Sequence, residues 1–119
     1  MPERRAAMPR ALALALLALP VPGGVAGAAE GGAVAGARAA ELEHILIQDC
    51  GSCHGLTLKG GLGRPLTPDA LAGWADTDTL TGIILDGMPG TAMPPWRPIL
   101  TEEEARWIAN YLMQGEISK

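Results

Sequence analysis

No phenylalanine occurs in this sequence, and the aromatic residues come to three tryptophans and one tyrosine. Side chains alone therefore give a small domain little bulk with which to build a core. Only two cysteines are present, and one short motif uses both. Basic residues number nine against thirteen acidic ones. An acidic surface argues against nucleic acid and against anionic membranes as partners. No apolar run approaches the roughly 20 residues that span a bilayer. The longest, Ala11 to Leu19, follows Arg4, Arg5 and Arg10 and precedes Ala26-Gly27-Ala28. A positive start, a short apolar stretch and a small-residue cleavage site form a secretory signal pattern, expected over residues 1–28. Ala33-Val34-Ala35 is a second cleavage option, and an uncleaved anchor is the alternative reading. Glycine- and alanine-rich residues 29–38 then read as a flexible leader, and 39–119 as one domain. Without residues 1–28, six basic residues face twelve acidic ones. The expected location is the periplasm, with no stable membrane insertion once the signal is removed.

Both cysteines lie in Cys50-Gly51-Ser52-Cys53-His54. This C-x-x-C-H spacing is an attachment motif for a c-type haem. Two thiols three positions apart reach the two vinyl groups on one edge of a porphyrin and form thioethers. The next residue, His54, then turns beneath the iron as its proximal ligand. Zinc is the first competing reading, but a structural site needs four ligands, and only His44 and His54 are at hand. A thioredoxin-type pair is the second, but no βαβ pattern surrounds the motif. A porphyrin would also supply the core that the aromatic residues do not, and such a domain is expected to fold around it.

The remaining chain reads as all-α, with four short helices and long loops. Apolar Leu42, Ile45 and Leu46 mark a helix from about Ala39 into the motif. His44 on this helix reads as a surface histidine, because a helix ending at the motif lies on the proximal side. Gly60 to Pro65 is a loop, and its glycines let backbone pass close to a flat ligand. One of its carbonyls is expected to accept the second ring N–H of His54, which fixes the ring plane and raises the basicity of the ligand. Thr67-Pro68-Asp69 starts a short helix. Asp76 or Thr77 caps the next, with Leu80, Ile83 and Ile84 as its apolar face and Gly87 as a left-handed stop. Thr101 to Glu104 is a capping box before the stripe of Ala105, Ile108, Ala109 and Leu112. Trp107 and Tyr111 lie on the flank of that helix, Gly115 ends it, and the first and last helices are expected to cross. Between them, four prolines from Pro89 to Pro98 make a rigid loop that carries two methionines. A thioether opposite a histidine suits haem iron and raises its reduction potential. Met88 and Met93 are each followed by proline, so local chemistry leaves both open as distal ligand, and Met88 sits nearer the helix end.

Helix, C-x-x-C-H, glycine-rich loop, short helices, Met-Pro loop and final helix, in that order over about 39–115, resemble class I c-type cytochromes. The resemblance implies a haem held by His54 and by Met93, which lies 39 positions later and is followed by Pro94. That family usually carries Gly-Pro-x-Leu after the glycine-rich loop. Here Gly63-Arg64-Pro65-Leu66 places the proline one position late and leaves open which carbonyl meets His54. Asp49 to Gly55, Lys59 to Gly63, Leu66-Thr67-Pro68 and Gly90 to Trp96 further resemble the small NirC-type monohaem cytochromes of denitrifying bacteria. This resemblance implies a monomeric periplasmic one-electron carrier with one covalent haem c and no enzymatic activity of its own. The implied partner is the cytochrome cd-type nitrite reductase. The alternative role is electron transfer or assembly during maturation of that enzyme's specialised haem. A haem protein with an open sixth position is a third reading. Docking is expected at the rim of the haem edge, with Thr57, Leu58 and Ala92 as members.

Overall fold

A computed structural model describes residues 34–118. The expected signal peptide and residues 29–33 of the expected leader lie outside them. Among the described residues all regular structure is helical. Helix α1 (Gly36–Ile45) runs without a break into a π-helical turn (Leu46–Cys50) and then α2 (Gly51–His54). Short α3 (Pro68–Leu71), α4 (Thr77–Asp86) and α5 (Glu102–Gln114) follow, and a 3-10 turn (Glu116–Ser118) closes the fold. With 36–54 as one run, the described residues form four helical segments before the closing turn, as the sequence suggests.

The run begins at Gly36 rather than near Ala39, so 36–38 belong to the helix and not to a leader. Tertiary anchors draw the start forward. Val34 packs on the core, and Arg38 Nε donates to Glu104 Oε1 of α5 at 2.5 Å. A second clasp lies two turns on, where the Tyr111 hydroxyl donates to Glu43 Oε1 at 2.8 Å. Burial first, and then this bond, push the Tyr111 phenol up to about 12, so it stays a donor throughout the ordinary pH range. Beside the clasps Leu42 and Leu46 are fully buried in one cluster with Ala105, Ile108, Ala109 and Leu112. The first and last helices therefore do pack together, and α4 lies along α5 as well.

Local signals set the other boundaries. The Thr67 hydroxyl accepts from Ala70 N, and the Asp76 carboxylate accepts from Thr79 N at 2.7 Å. Both halves of the capping box form at α5: Thr101 Oγ1 accepts from Glu104 N, and Glu104 Oε2 accepts from Thr101 N. Gly115 closes α5 in the left-handed conformation. Gly87 departs from the expected left-handed stop. Its φ of 67° comes with a ψ of −168°, an extended mirror conformation that sends the chain straight out of α4. Only glycine adopts that backbone readily.

The Arg38–Glu104 bond has a pH signature. It holds the Glu104 carboxyl below its ordinary value. A carboxylate whose folded value is depressed contributes stability above its unfolded value, and that contribution is lost as pH falls through the folded one. Arg38→Met is therefore expected to lower the melting temperature of the holoprotein at pH 7. The gap to wild type should close as pH falls below about 4. Thermal unfolding from pH 7 to pH 3 checks this, and a gap independent of pH would show that the arginine acts through packing alone.

Candidate functional site

The π-helical turn sits immediately before the motif. The Gly51 N–H reaches back five residues to the Leu46 carbonyl, so this turn holds one residue more than an α-helical turn. Side chains beyond it are rotated relative to the buried stripe of α1. Cys50, at the end of the turn, is partly buried, whereas Cys53 is exposed, and both thiols are free. Burial, and then the Asp49 carboxylate, push the Cys50 thiol up to about 11, so it is protonated at neutral pH. Gly51 is buried, and a Cβ there would lie 3.3 Å from Leu56 Cα.

After His54 the chain reverses through Gly55, with φ of 89°. Backbone hydrogen bonds then lay the loop against the motif: Gly60 N to His54 O at 2.8 Å, and Gly63 N to Cys53 O at 2.7 Å. No side chain fits between these strands of backbone. A Cβ on Gly55 would lie 2.6 Å from Gly60 O, and one on Gly61 would lie 2.7 Å from Cys53 O. Gly63 faces the imidazole itself, where a Cβ would meet Nδ1 at 2.7 Å and Cε1 at 2.8 Å. His54 Nδ1 bonds to the Arg64 carbonyl at 2.7 Å, so the loop carbonyl that the sequence leaves open is that of Arg64. A carbonyl only accepts, so Nδ1 carries the proton and Nε2 is left with its lone pair.

One expected docking residue is misplaced by the sequence reading. Leu58 is 3% exposed, a member of the core, and is the only non-glycine among the described residues with positive φ, at 57°. Leu58 ends the turn closed by its N–H on Gly55 O at 2.8 Å, and burial of the side chain offsets the strain of its backbone. Thr57 and Ala92 are exposed.

The Met-Pro loop is anchored on the end of α4. Trp96 N donates to the Ile84 and Leu85 carbonyls, Arg97 N donates to Leu85 O at 3.0 Å, and the Arg97 guanidinium forks onto the Asp86 carboxylate. Gly87 lies directly beneath the far side of the loop, where a Cβ would be 2.6 Å from Met93 O. Met88 N donates to Met93 O at 3.2 Å, and the Thr91 hydroxyl, donating to Met88 O at 2.7 Å, accepts from Met93 N at 3.3 Å. The backbone of Met93 is thus held from two sides. Its side chain is half-buried, whereas Met88 is 41% exposed.

His44 is exposed on α1, in an open groove with Arg38, Glu41 and Ile45, none of which belongs to the motif or its loop. Among the described residues no three His, Cys, Asp or Glu side chains converge on one point. No described helix is long and apolar enough to cross a membrane. The donor set fits haem c on its own chemistry: two free thiols three positions apart, an imidazole whose Nδ1 is committed elsewhere, and a loop stripped of side chains where it meets that ring. The π-helical turn had no sequence signature, since nothing in Leu46-Ile47-Gln48-Asp49 differs from an ordinary helix.

Residues 37–112 match the family described as Cytochrome C oxidase, cbb3-type, subunit III. The chain is 61% identical over 92 residues to cytochrome c55X of Paracoccus denitrificans, an alignment that covers 77% of this chain and 88% of that one. To cytochrome c55X of Pseudomonas aeruginosa it is 52% identical over 81 residues, covering 68% and 67%. Among solved structures it is similar to the c-type cytochrome NirC, with 49% identity, a TM-score of 0.68, and coverage of 71% of this chain and 98% of that one. A segment of dihydro-heme d1 dehydrogenase NirN, solved in complex with DHE, is 32% identical with a TM-score of 0.56. That match covers 60% of this chain and only 15% of NirN. Fold, motif and relatives agree: the chain belongs to the c-type cytochromes of this domain family, related to NirC and the cytochromes c55X, and haem c is its cofactor.

Proposed function

We propose that the protein is a periplasmic one-electron carrier that serves the cytochrome cd-type nitrite reductase. In this reading Cys50 and Cys53 would hold one haem covalently, and His54 Nε2 and the Met93 thioether would ligate its iron. When bound, the haem supplies the redox chemistry, one electron per cycle. The protein's part is to hold the axial ligands and set their basicity.

The observation that carries the reading is the seat of His54. Nδ1 donates to the Arg64 carbonyl at 2.7 Å, and Gly63 lies so close that even a methyl group would strike the ring. That seat fixes the ring plane and directs Nε2 away from the loop, immediately after two free thiols. Such a bond also raises the basicity of the ligand. Met93 is favoured over Met88 because its backbone is pinned on both sides and its side chain is half-buried. If His54 and Met93 both ligate the haem, no open position would remain for a substrate, which favours a carrier over an enzyme or a gas sensor.

The denitrification setting rests on the likeness to NirC and the cytochromes c55X. Reduced holoprotein mixed with cytochrome cd-type nitrite reductase and nitrite in a stopped-flow instrument is expected to oxidise rapidly, and more slowly as salt rises. Acidic residues outnumber basic ones on this chain, so a basic docking face would steer the encounter. Slow oxidation at every salt concentration would rule out the donor role.

A specific observation favours a second reading. The related segment of NirN belongs to a dehydrogenase named for dihydro-haem d1. An independent domain of the same kind suits electron transfer during maturation of the reductase's specialised haem. Oxidation of such an enzyme in its reduced form by this protein would support that role.

A further inference from the structure

The carbonyl that meets His54 belongs to a residue whose own side chain is fixed by a tryptophan. The Arg64 guanidinium carbon lies 4.2 Å from the ring centroid of Trp74. Trp74 is itself held, its Nε1 donating to the Ala70 carbonyl at 2.9 Å while its ring packs partly buried against the core. Backbone bonds tie Gly63 to Cys53 and Leu66 to Leu58, but the peptide between Arg64 and Pro65 lies between these ties. Pro65 rests on Gly60, where a Cβ would be 3.3 Å from Pro65 Cγ. Proline also restricts the residue before it to extended backbone. The peptide carrying the critical carbonyl is therefore pinned on one side by Pro65 and on the other by the stack of Arg64 on Trp74.

We infer that Trp74, acting through Arg64, is a positioning residue for His54: the stack holds the Arg64 carbonyl on Nδ1 and so tunes the electron donation of the proximal ligand. The inference rests on His54 being that ligand. A cation over an indole face is attractive, and guanidinium stacks better than ammonium because it is planar and weakly hydrated. Without the stack the Arg64 side chain is free in solvent and its carbonyl swings more widely. The Nδ1–H···O bond weakens on average, the imidazole becomes a poorer donor, and the oxidised iron loses stabilisation. The reduction potential then rises.

The test uses holoprotein carrying Trp74→Leu, Trp74→Phe, Arg64→Gln or Arg64→Lys, with reduction potential and exchange of the His54 Nδ1 proton by NMR as readouts. Arg64 is exposed, so its variants keep the fold even if Trp74→Leu does not. Trp74→Leu and Arg64→Gln are expected to raise the potential and to speed Nδ1 proton exchange about two- to fivefold, the range an exposed cation–π contact supports. Trp74→Phe and Arg64→Lys, which keep a ring and a cation, should recover part of both effects. If Arg64→Gln moves the potential while neither Trp74 variant changes potential or exchange, the arginine acts only as a charge and the inference fails. A wild-type holoprotein with no iron-shifted His54 ring resonances would instead overturn the ligand assignment beneath it.

Discussion

Replacing Met93 by alanine is expected to open the iron to carbon monoxide or cyanide and to lower the reduction potential. Thioether sulfur is a soft ligand that favours the ferrous state, and histidine–methionine pairing raises the potential for that reason. Axial ligands move haem potentials over about 0.8 V, so a drop on the order of 0.1 V or more is expected. The fold should survive, because the loop is held by contacts outside the Met93 side chain. These are Trp96 and Arg97 on the Ile84 and Leu85 carbonyls, Arg97 on Asp86, and Gly87 beneath the Met93 carbonyl. Met88→Ala is the control, since Met88 is 41% exposed and is assigned no place at the iron. Visible spectra before and after addition of carbon monoxide check both variants. Ligand binding by Met88→Ala alone would reverse the assignment.

Gly63→Ala is the second large effect. The glycine does not occupy a positive φ, so alanine brings no backbone penalty there. The whole cost is steric, because the new methyl would sit 2.7 Å from His54 Nδ1 and 2.8 Å from Cε1. The flanking backbone has little room to retreat, since Gly63 N is bound to Cys53 O at 2.7 Å. The ring must therefore move and stretch its bond to Arg64. Overpacking of this kind costs about 1–3 kcal/mol. For a domain of this size that is a fall of about 5–20 °C in the melting temperature of the holoprotein. A shift in potential should accompany it, because the hydrogen bond that sets ligand basicity is the one displaced. A Gly63→Ala holoprotein with unchanged melting temperature and potential would mean that the loop yields freely and does not seat the histidine.

These two variants separate what sequence makes visible from what it hides. The motif, the glycine-rich loop and the two methionines are local patterns, and each reports chemistry through residue type and spacing. Caps at Thr67, Asp76 and Thr101 are equally local and form as written. Features that depend on distant partners are not legible. The early start of α1 needs Arg38 to find Glu104, 66 residues away. Leu58 sits in a polar-looking turn and is buried only because the loop folds back on the motif. Proline's late position in Gly63-Arg64-Pro65-Leu66 obscures the carbonyl in the sequence, yet it is still the residue after Gly63 that bonds His54. The structural substitute for a proline ring at position 64, a stack on Trp74, spans the intervening short helix and cannot be read from either residue alone.

The central claim is a carrier whose iron has both axial positions filled by the protein. Potentiometric titration of the wild-type holoprotein, followed by visible absorption with and without carbon monoxide, tests it most directly. The account predicts a reversible one-electron transition whose midpoint and reduced spectrum are the same under carbon monoxide. A spectrum that changes on adding the gas, with a midpoint that rises accordingly, would contradict it and make the protein a ligand-binding haem protein instead.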